Sequence, residues 1–232
     1  MVPIIGAYDP TTGNIAITRI ATPSKLIRTT SHEIAHKAWR EKIGIVSKDE
    51  VEKAVNEGMA DVIAAVVHSE TTGNDIIFDA RAESTSLTLN SYDPLPDSHT
   101  HSYPIHKNGD IVENLFYRVK LDSNVSKAEL KELIIKTFLR MNDQDADQRV
   151  PIIDVAETMK IIAKSMSTSV QAAVTKAIND AKISKVTYIH STLFNSIVVT
   201  NEDIGNERQS YPSSSPGYSL PISFGYGGIG SY

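Results

Sequence analysis

Ser31-His32-Glu33-Ile34-Ala35-His36 is the stretch on which the reading of this chain turns. Its surroundings, from about Pro23 to Lys42, read as a helix, with Thr22 placed to cap it and Pro23 at the first helical position, where a missing N–H costs nothing. Residues four apart on a helix stand one above the other, so the imidazoles of His32 and His36 can reach one metal ion with Glu33 beside them. This is a zinc site in outline.

A hydrolytic zinc ion takes three protein ligands and keeps one position for water. Asn56-Glu57-Gly58-Met59-Ala60-Asp61 offers the third ligand: Glu57 follows His36 by 21 residues, enough for a turn and a second helix to bring a carboxylate back to the same ion. Asp61 lies one helical turn further on the same face, where it can accept the second N–H of a ligand histidine and so fix its tautomer. Ser47-Lys48-Asp49-Glu50 reads as the capping box of this second helix, which extends to about Ser69. Val51, Val55, Met59, Val62 and Val66 form an apolar stripe expected to pack on the first helix, with Trp39 and Met59 as core residues.

Together the two motifs resemble those of the thermolysin-like gluzincin metallopeptidases, whose pattern is H-E-x-x-H on one helix and N-E-x-x-x-D on the next; here they stand as HEIAH and NEGMAD. The resemblance covers roughly residues 3 to 183 and is specific at the motifs, in pattern only elsewhere. It implies an α+β fold: a thermolysin-like catalytic core with an N-terminal β-hairpin and edge strand and two zinc-binding helices, followed by a mainly α-helical C-terminal lobe. It implies Zn2+ as the cofactor, held by His32, His36 and Glu57, with Glu33 as general base and Asp61 behind the ligands. The implied activity is zinc-dependent endopeptidase action on a peptide or protein substrate, with bulky apolar residues preferred at P1′. Family members are usually secreted behind a signal and a pro-segment, so an extracellular location is expected, although neither segment is visible in this chain.

Residues 3 to 20 read as a β-hairpin turning through Asp9-Pro10-Thr11-Thr12-Gly13. In the resembling family the strand before the first zinc helix is an edge that pairs with the substrate backbone, which places Gly6, Ala7 and Tyr8 at the substrate. A backbone edge suits a peptidase because main-chain hydrogen bonds are blind to side chains.

Further along, His106 and Asn108 match a family histidine that immediately precedes a C-terminal-lobe helix and is followed two residues later by Asn. The resemblance makes His106 the donor to the oxyanion of the transition state and Asn108 a substrate contact. The family orients that histidine with an aspartate five residues earlier; His101 stands there, so Asp97 is the candidate partner. The family's tyrosine between the second histidine and the glutamate ligand is also missing, since residues 37 to 56 contain none; Tyr8, Tyr92 or Tyr103 are substitutes. These departures motivate an alternative, a catalytically weak or inactive pseudo-peptidase serving as a partner-binding module. A second alternative is a zinc-stabilised domain whose site is closed by a fourth protein ligand. His99, His101 and His106 also form a histidine cluster expected to be merely solvated, and Arg28 and His68 stand where calcium-binding members need acidic residues. Arg81 is the candidate for a buried arginine near the P1′ pocket.

The remaining chain divides by pattern. Residues 1–104 form an N-terminal lobe with the zinc helices and a cleft loop, 105–183 a helical C-terminal lobe, and 184–232 a tail. The stretch 74–103 is irregular and rich in Ser, Thr, Asp and Pro. Four amphipathic helices are expected at Gly109–Lys120, Ser126–Met141, Val150–Met166 and Ser169–Lys182, the second opened by the capping box Ser126-Lys127-Ala128-Glu129. The tail holds two short strand candidates, Lys185–His190 and Asn195–Thr200, and then a Ser/Gly/Pro/Tyr-rich run read as flexible or surface-laid.

Composition sets outer limits. The 232 residues, net charge −5, suffice for a buried core, and no basic tract interleaved with aromatics points to nucleic acid. No apolar run approaches the roughly 20 residues a membrane span needs. Cysteine is absent, which removes disulfides and thiolate ligands and leaves metal chemistry to His, Asp and Glu.

Overall fold

The helix that begins at Pro23 continues to Ile43 (α1), and the next runs from Glu50 to Thr72 (α2); both belong to a mostly helical computed structural model. It describes residues 6–9, 11–17, 22–43, 50–91, 103–141, 152–183, 187–191 and 196–200. Ahead of α1 stand β1 (Gly6–Tyr8) and β2 (Ile15–Ile17); after α2 come α3 (Tyr103–Lys120), α4 (Lys127–Arg140), α5 (Ile152–Ala163), α6 (Thr168–Asp180), β3 (Thr187–Ser191) and β4 (Ser196–Thr200). Each pair of strands is a separate antiparallel hairpin. Among the described residues no helix is long and apolar enough to cross a membrane.

The start of α1 follows from its cap: the Thr22 hydroxyl accepts from the Lys25 N–H and its carbonyl accepts the Leu26 N–H. Ser126 caps α4 in the expected reciprocal box with Glu129, whose second oxygen also accepts the Ser167 hydroxyl at the start of α6. One carboxylate thus ties two helix N-termini together.

Helix α2 is the centre of the molecule. Val55, Met59, Val62 and Val66 are buried as the stripe requires, and so are Ala54, Ala60, Ala64 and Ala65 on its other flanks. A helix buried on more than one face must pack on more than one neighbour, and α2 lies between α1 and α3. Small residues decide how closely. A Cβ on Gly109 of α3 would lie 2.9 Å from both the Ala54 carbonyl oxygen and the Gly58 nitrogen, and one on Gly58 would come within 2.7 Å of Val112 Cβ. The two helices therefore meet backbone to backbone at Gly58 and Gly109.

That contact explains a difference from the sequence reading. Asn108-Gly109 reads as a helix start, yet α3 begins six residues earlier, at Tyr103, with Pro104 in its first turn, where proline is tolerated. Gly109 is a packing glycine inside the helix. The lobe boundary at 104/105 consequently falls within α3, and one hydrophobic core runs from Trp39 through Phe116 and Leu133 to Ile183. Helix α5 also stops earlier than its periodicity suggests, at Ala163, because a turn through Lys164, Ser165 and Met166 leads into the Ser167 cap of α6.

The irregular stretch after α2 is ordered by side chains of α3. Asn114 donates to the carbonyls of Ala82 and Ser84, Arg118 to those of Thr85 and Leu87, and Lys120 to that of Ile76. Arg28 of α1 donates to the Ile77 carbonyl at 2.9 Å, and the Asp79 N–H donates to Glu113 at 2.9 Å. A segment without its own ladder needs such partners for its backbone groups. Glu113 is fully buried, and burial pushes its carboxyl up to about 8 despite the Arg28 guanidinium at 3.4 Å. Within the tail, the hairpin β3–β4 pairs Thr187 with Thr200 through Ser191 with Ser196; residues 201–232 and residues 47–49 of the expected capping box lie outside what is described.

Candidate metal centre

Four elements meet at one point. Helix α1 brings His32, Glu33 and His36, α2 brings Asn56, Glu57 and Asp61, α3 brings His106, and β1 lies against Glu33. The meeting of α2 and α3 at Gly58 and Gly109 is what sets Glu57 beside His106, one helical turn before Gly109.

The three ligand-type atoms are close-set. His32 Nε2 and His36 Nε2 are 2.8 Å apart, and Glu57 Oε2 stands 3.2 Å and 3.4 Å from them. A tetrahedral ion with bonds of about 2.0–2.1 Å requires donors about 3.3 Å apart. The spacing therefore fits a small divalent cation, and these three residues could hold one. His106 Nδ1 lies 3.1 Å from the same Glu57 oxygen. That oxygen is buried, and none of the three imidazole nitrogens around it reaches it with good hydrogen-bond geometry. A lone pair so placed is what a ligand atom presents to an ion.

Both histidines are oriented from behind. His32 Nδ1 donates to Asp61 Oδ1 at 2.8 Å and His36 Nδ1 to Asn56 Oδ1 at 3.0 Å, so each ring turns its Nε2 toward the common point. Asp61 holds the place its spacing gave it. Asn56 carried no role in the sequence reading, although its place next to Glu57 in NEGMAD was the signal that could have supplied one.

The charges are those of a cation site. Burial would raise the Glu57 carboxyl, but the histidines around it, His106 foremost, hold it well below the usual carboxylate range. Burial also opposes charge on His32, yet Asp61 and Glu57 push it up to about 10. Glu57 likewise raises His106. Two carboxylates among three imidazoles call for positive charge, which a proton on His32 or a metal ion can supply. Glu33 is 6% exposed, and burial raises its pKa above the ordinary glutamate value.

The hairpin presents its edge to this group. Asp9 N–H donates to the Asn14 carbonyl, and Gly13, at φ 72°, closes the loop back to the Asp9 carbonyl. Ala7 is opposite Ala16, so by the alternation of antiparallel pairing the backbone groups of Gly6 and Tyr8 point away from β2. The Tyr8 N–H reaches Glu33 and Gly6 packs on it, while the Ala7 side chain is exposed.

Other candidates lie elsewhere. Asn108 is 4% exposed and, two residues along α3, is turned about 200° from His106, so it is not brought to the cluster. Arg81 is not buried: its side chain is 43% exposed and pairs with Asp79 and with Asp110 at 3.2 Å. The Asp110 carboxyl is pushed up to about 6 by burial, against the pull of Arg81. Asp97, Tyr92, His99 and His101 lie outside the described residues, so no partner for His106 is seen at those positions. Searches against models of known families, characterised proteins and solved structures return no match.

Proposed function

We propose that the chain is a zinc-dependent endopeptidase with a thermolysin-like core, acting on peptide or protein substrates outside the cell. The observation that carries the reading is the convergence of His32 Nε2, His36 Nε2 and Glu57 Oε2, 2.8 to 3.4 Å apart, beside the buried carboxylate of Glu33. Two imidazoles and one carboxylate are a donor set suited to catalytic zinc. Zinc bound there supplies Lewis-acid polarisation of the scissile carbonyl and a water of lowered pKa.

The chain's own groups do the rest. Glu33 takes the proton of the attacking water and passes it to the leaving nitrogen, a task helped by a pKa that burial raises toward neutrality. His106 donates an N–H to the oxygen of the tetrahedral carbon. Asp61 and Asn56 keep the proton of each ligand ring on Nδ1, leaving Nε2 free. The Tyr8 N–H is taken by Glu33, and the outward carbonyls of this edge hold an extended peptide, with a bulky apolar P1′ residue beyond the scissile bond. The direct test is cleavage of a mixed peptide library by the zinc-loaded chain, read by mass spectrometry. Cuts abolished by chelation and restored by zinc support the reading, and an uncut library under all three conditions sinks it.

The pH profile follows from the directions of the shifts. Glu33 must be ionised and its pKa is raised, so activity falls on the acid side at a pH above the ordinary 4.5 of glutamate. His106 is raised by Glu57 in the metal-free chain, and zinc bound to Glu57 would take that support away, so the alkaline fall should move toward 6.5 as the site fills. A bell-shaped plot of kcat/KM against pH checks both limbs.

A second reading, a closed site with His106 as fourth ligand, is favoured by its Nδ1 standing 3.1 Å from Glu57. His106→Ala separates the two. A donor role predicts unchanged zinc content and a fall in kcat of about 10²–10³-fold, whereas a ligand role predicts loss of zinc.

A further inference from the structure

We propose that Gly6 is a positioning residue for Glu33, a role that rests on the peptidase reading above. The bare backbone of β1 at this residue fills the space against the carboxylate and fixes where the base stands. A Cβ built on Gly6 would run into Glu33 Oε1 and come to 2.8 Å from Glu33 Cγ and 2.7 Å from Thr29 Cγ2. Ordinary carbon contacts need about 3.5–4.0 Å, so a side chain there must push the Glu33 carboxylate aside by roughly an ångström or part the strand from the helix.

The two main chains are held, so the Glu33 side chain is the part that yields. Helix α1 is anchored through buried Ala35 and Trp39, and His32 and His36 are tied to Asp61 and Asn56. Strand β1 is held in register by Ala7 opposite Ala16 and by the Asp9 loop, where Thr11 N–H and the Thr12 hydroxyl bond the Asp9 carboxylate at 2.8 and 2.6 Å. The Tyr8 N–H meets the Glu33 carboxylate two residues along the same edge. Glu33 is thus confined by the strand through Gly6 and the Tyr8 N–H. A general base displaced by about 1 Å loses on the order of 10² in rate.

The test is a pair of measurements on the zinc-loaded full chain. Gly6→Ala is expected to retain zinc and lower kcat by about 10²-fold with a much smaller change in KM. Ala16→Val, on the exposed neighbouring strand position, is expected to leave kcat unchanged. Thermal unfolding then asks whether the two residues touch: the melting temperature lost on Gly6→Ala should shrink in a Glu33→Ala background, where the obstructing carboxylate is gone and only the Thr29 methyl still meets the new side chain. A destabilised hairpin with no link to the base gives the same loss in both backgrounds, and that equality overturns the proposal. Activity of Gly6→Ala within threefold of the parent overturns it as well. If Gly6→Ala alone fails to fold, a folded Gly6→Ala/Glu33→Ala chain supports the contact and an unfolded one refutes it. A parent chain that cleaves nothing refutes the peptidase reading itself, whereas an active parent with an equally active Gly6→Ala refutes only the role of Gly6.

Discussion

Glu33→Gln is expected to lower kcat for peptide cleavage by about 10³–10⁴-fold while leaving zinc content unchanged. Glutamine keeps the shape of the side chain, so the contact with Gly6 and the packing of α1 are retained. What disappears is the proton acceptor. The same substitution is expected to leave the melting temperature equal or higher. Burial raises the pKa of Glu33, which means that the folded chain holds its ionised form at a cost, and a neutral amide removes that cost. The sign is that of an acid with a raised pKa: its contribution to stability declines as pH rises from the ordinary value through the folded one. A protein that loses its reaction and gains stability at one position has that position set for chemistry. Kinetics and calorimetry on the same preparation decide it. A Glu33→Gln chain that cleaves as fast as its parent rules out the assigned base, and one that loses zinc shows Glu33 to be part of the metal cage.

Glu57→Ala is expected to abolish stabilisation by zinc. The parent chain at a free zinc concentration of about 1,000 Kd should gain roughly 4 kcal/mol, or about 8–16 °C in Tm for a domain of this size. Without Glu57 the remaining ligands are two neutral imidazoles, and the anion that faces three histidines at 3.1 to 3.4 Å is gone. The zinc-dependent rise in Tm should then fall to near zero. The metal-free chain should change too, because His32 and His106 lose a partner that raises them. A titration of His106 moved back toward 6.5, followed by NMR, is the accompanying sign. An undiminished rise in Tm with zinc would show that the ion is held elsewhere.

The grouping of His32, His36 and Glu57 was legible because its logic is local. His32 and His36 need only the four-residue spacing of a helix, and Glu57 and Asp61 repeat that spacing on the next. The Ser126–Glu129 box was legible for the same reason. What escaped depends on distant partners. Gly109 reads as the first residue of a helix, and its place inside α3 depends on Gly58, 51 residues earlier. The order in residues 76–87 comes from Asn114, Arg118 and Lys120, about 30 to 44 residues away, and no periodicity within the segment announces it. Asn108 reads as a substrate contact beside His106 when the helix starts at Gly109; inside α3 the two face opposite ways. Asn56 was visible in the motif, but its bond to His36 depends on how α1 and α2 face each other.

The crossing of α2 and α3 at Gly58 and Gly109 also bears on how this sequence can drift. Because the helices touch through main-chain atoms, neither glycine can accept a side chain on its own, and a second change on the other helix cannot make room, since trimming Val112 would still leave the Gly109 carbonyl in the way. The two positions are locked jointly, whatever happens around them. Helix surfaces away from the crossing, such as exposed Leu139 and Ile135 on α4, are free to vary one residue at a time. Among distant descendants of this chain, the pair of glycines should therefore outlast most of the core that now surrounds it.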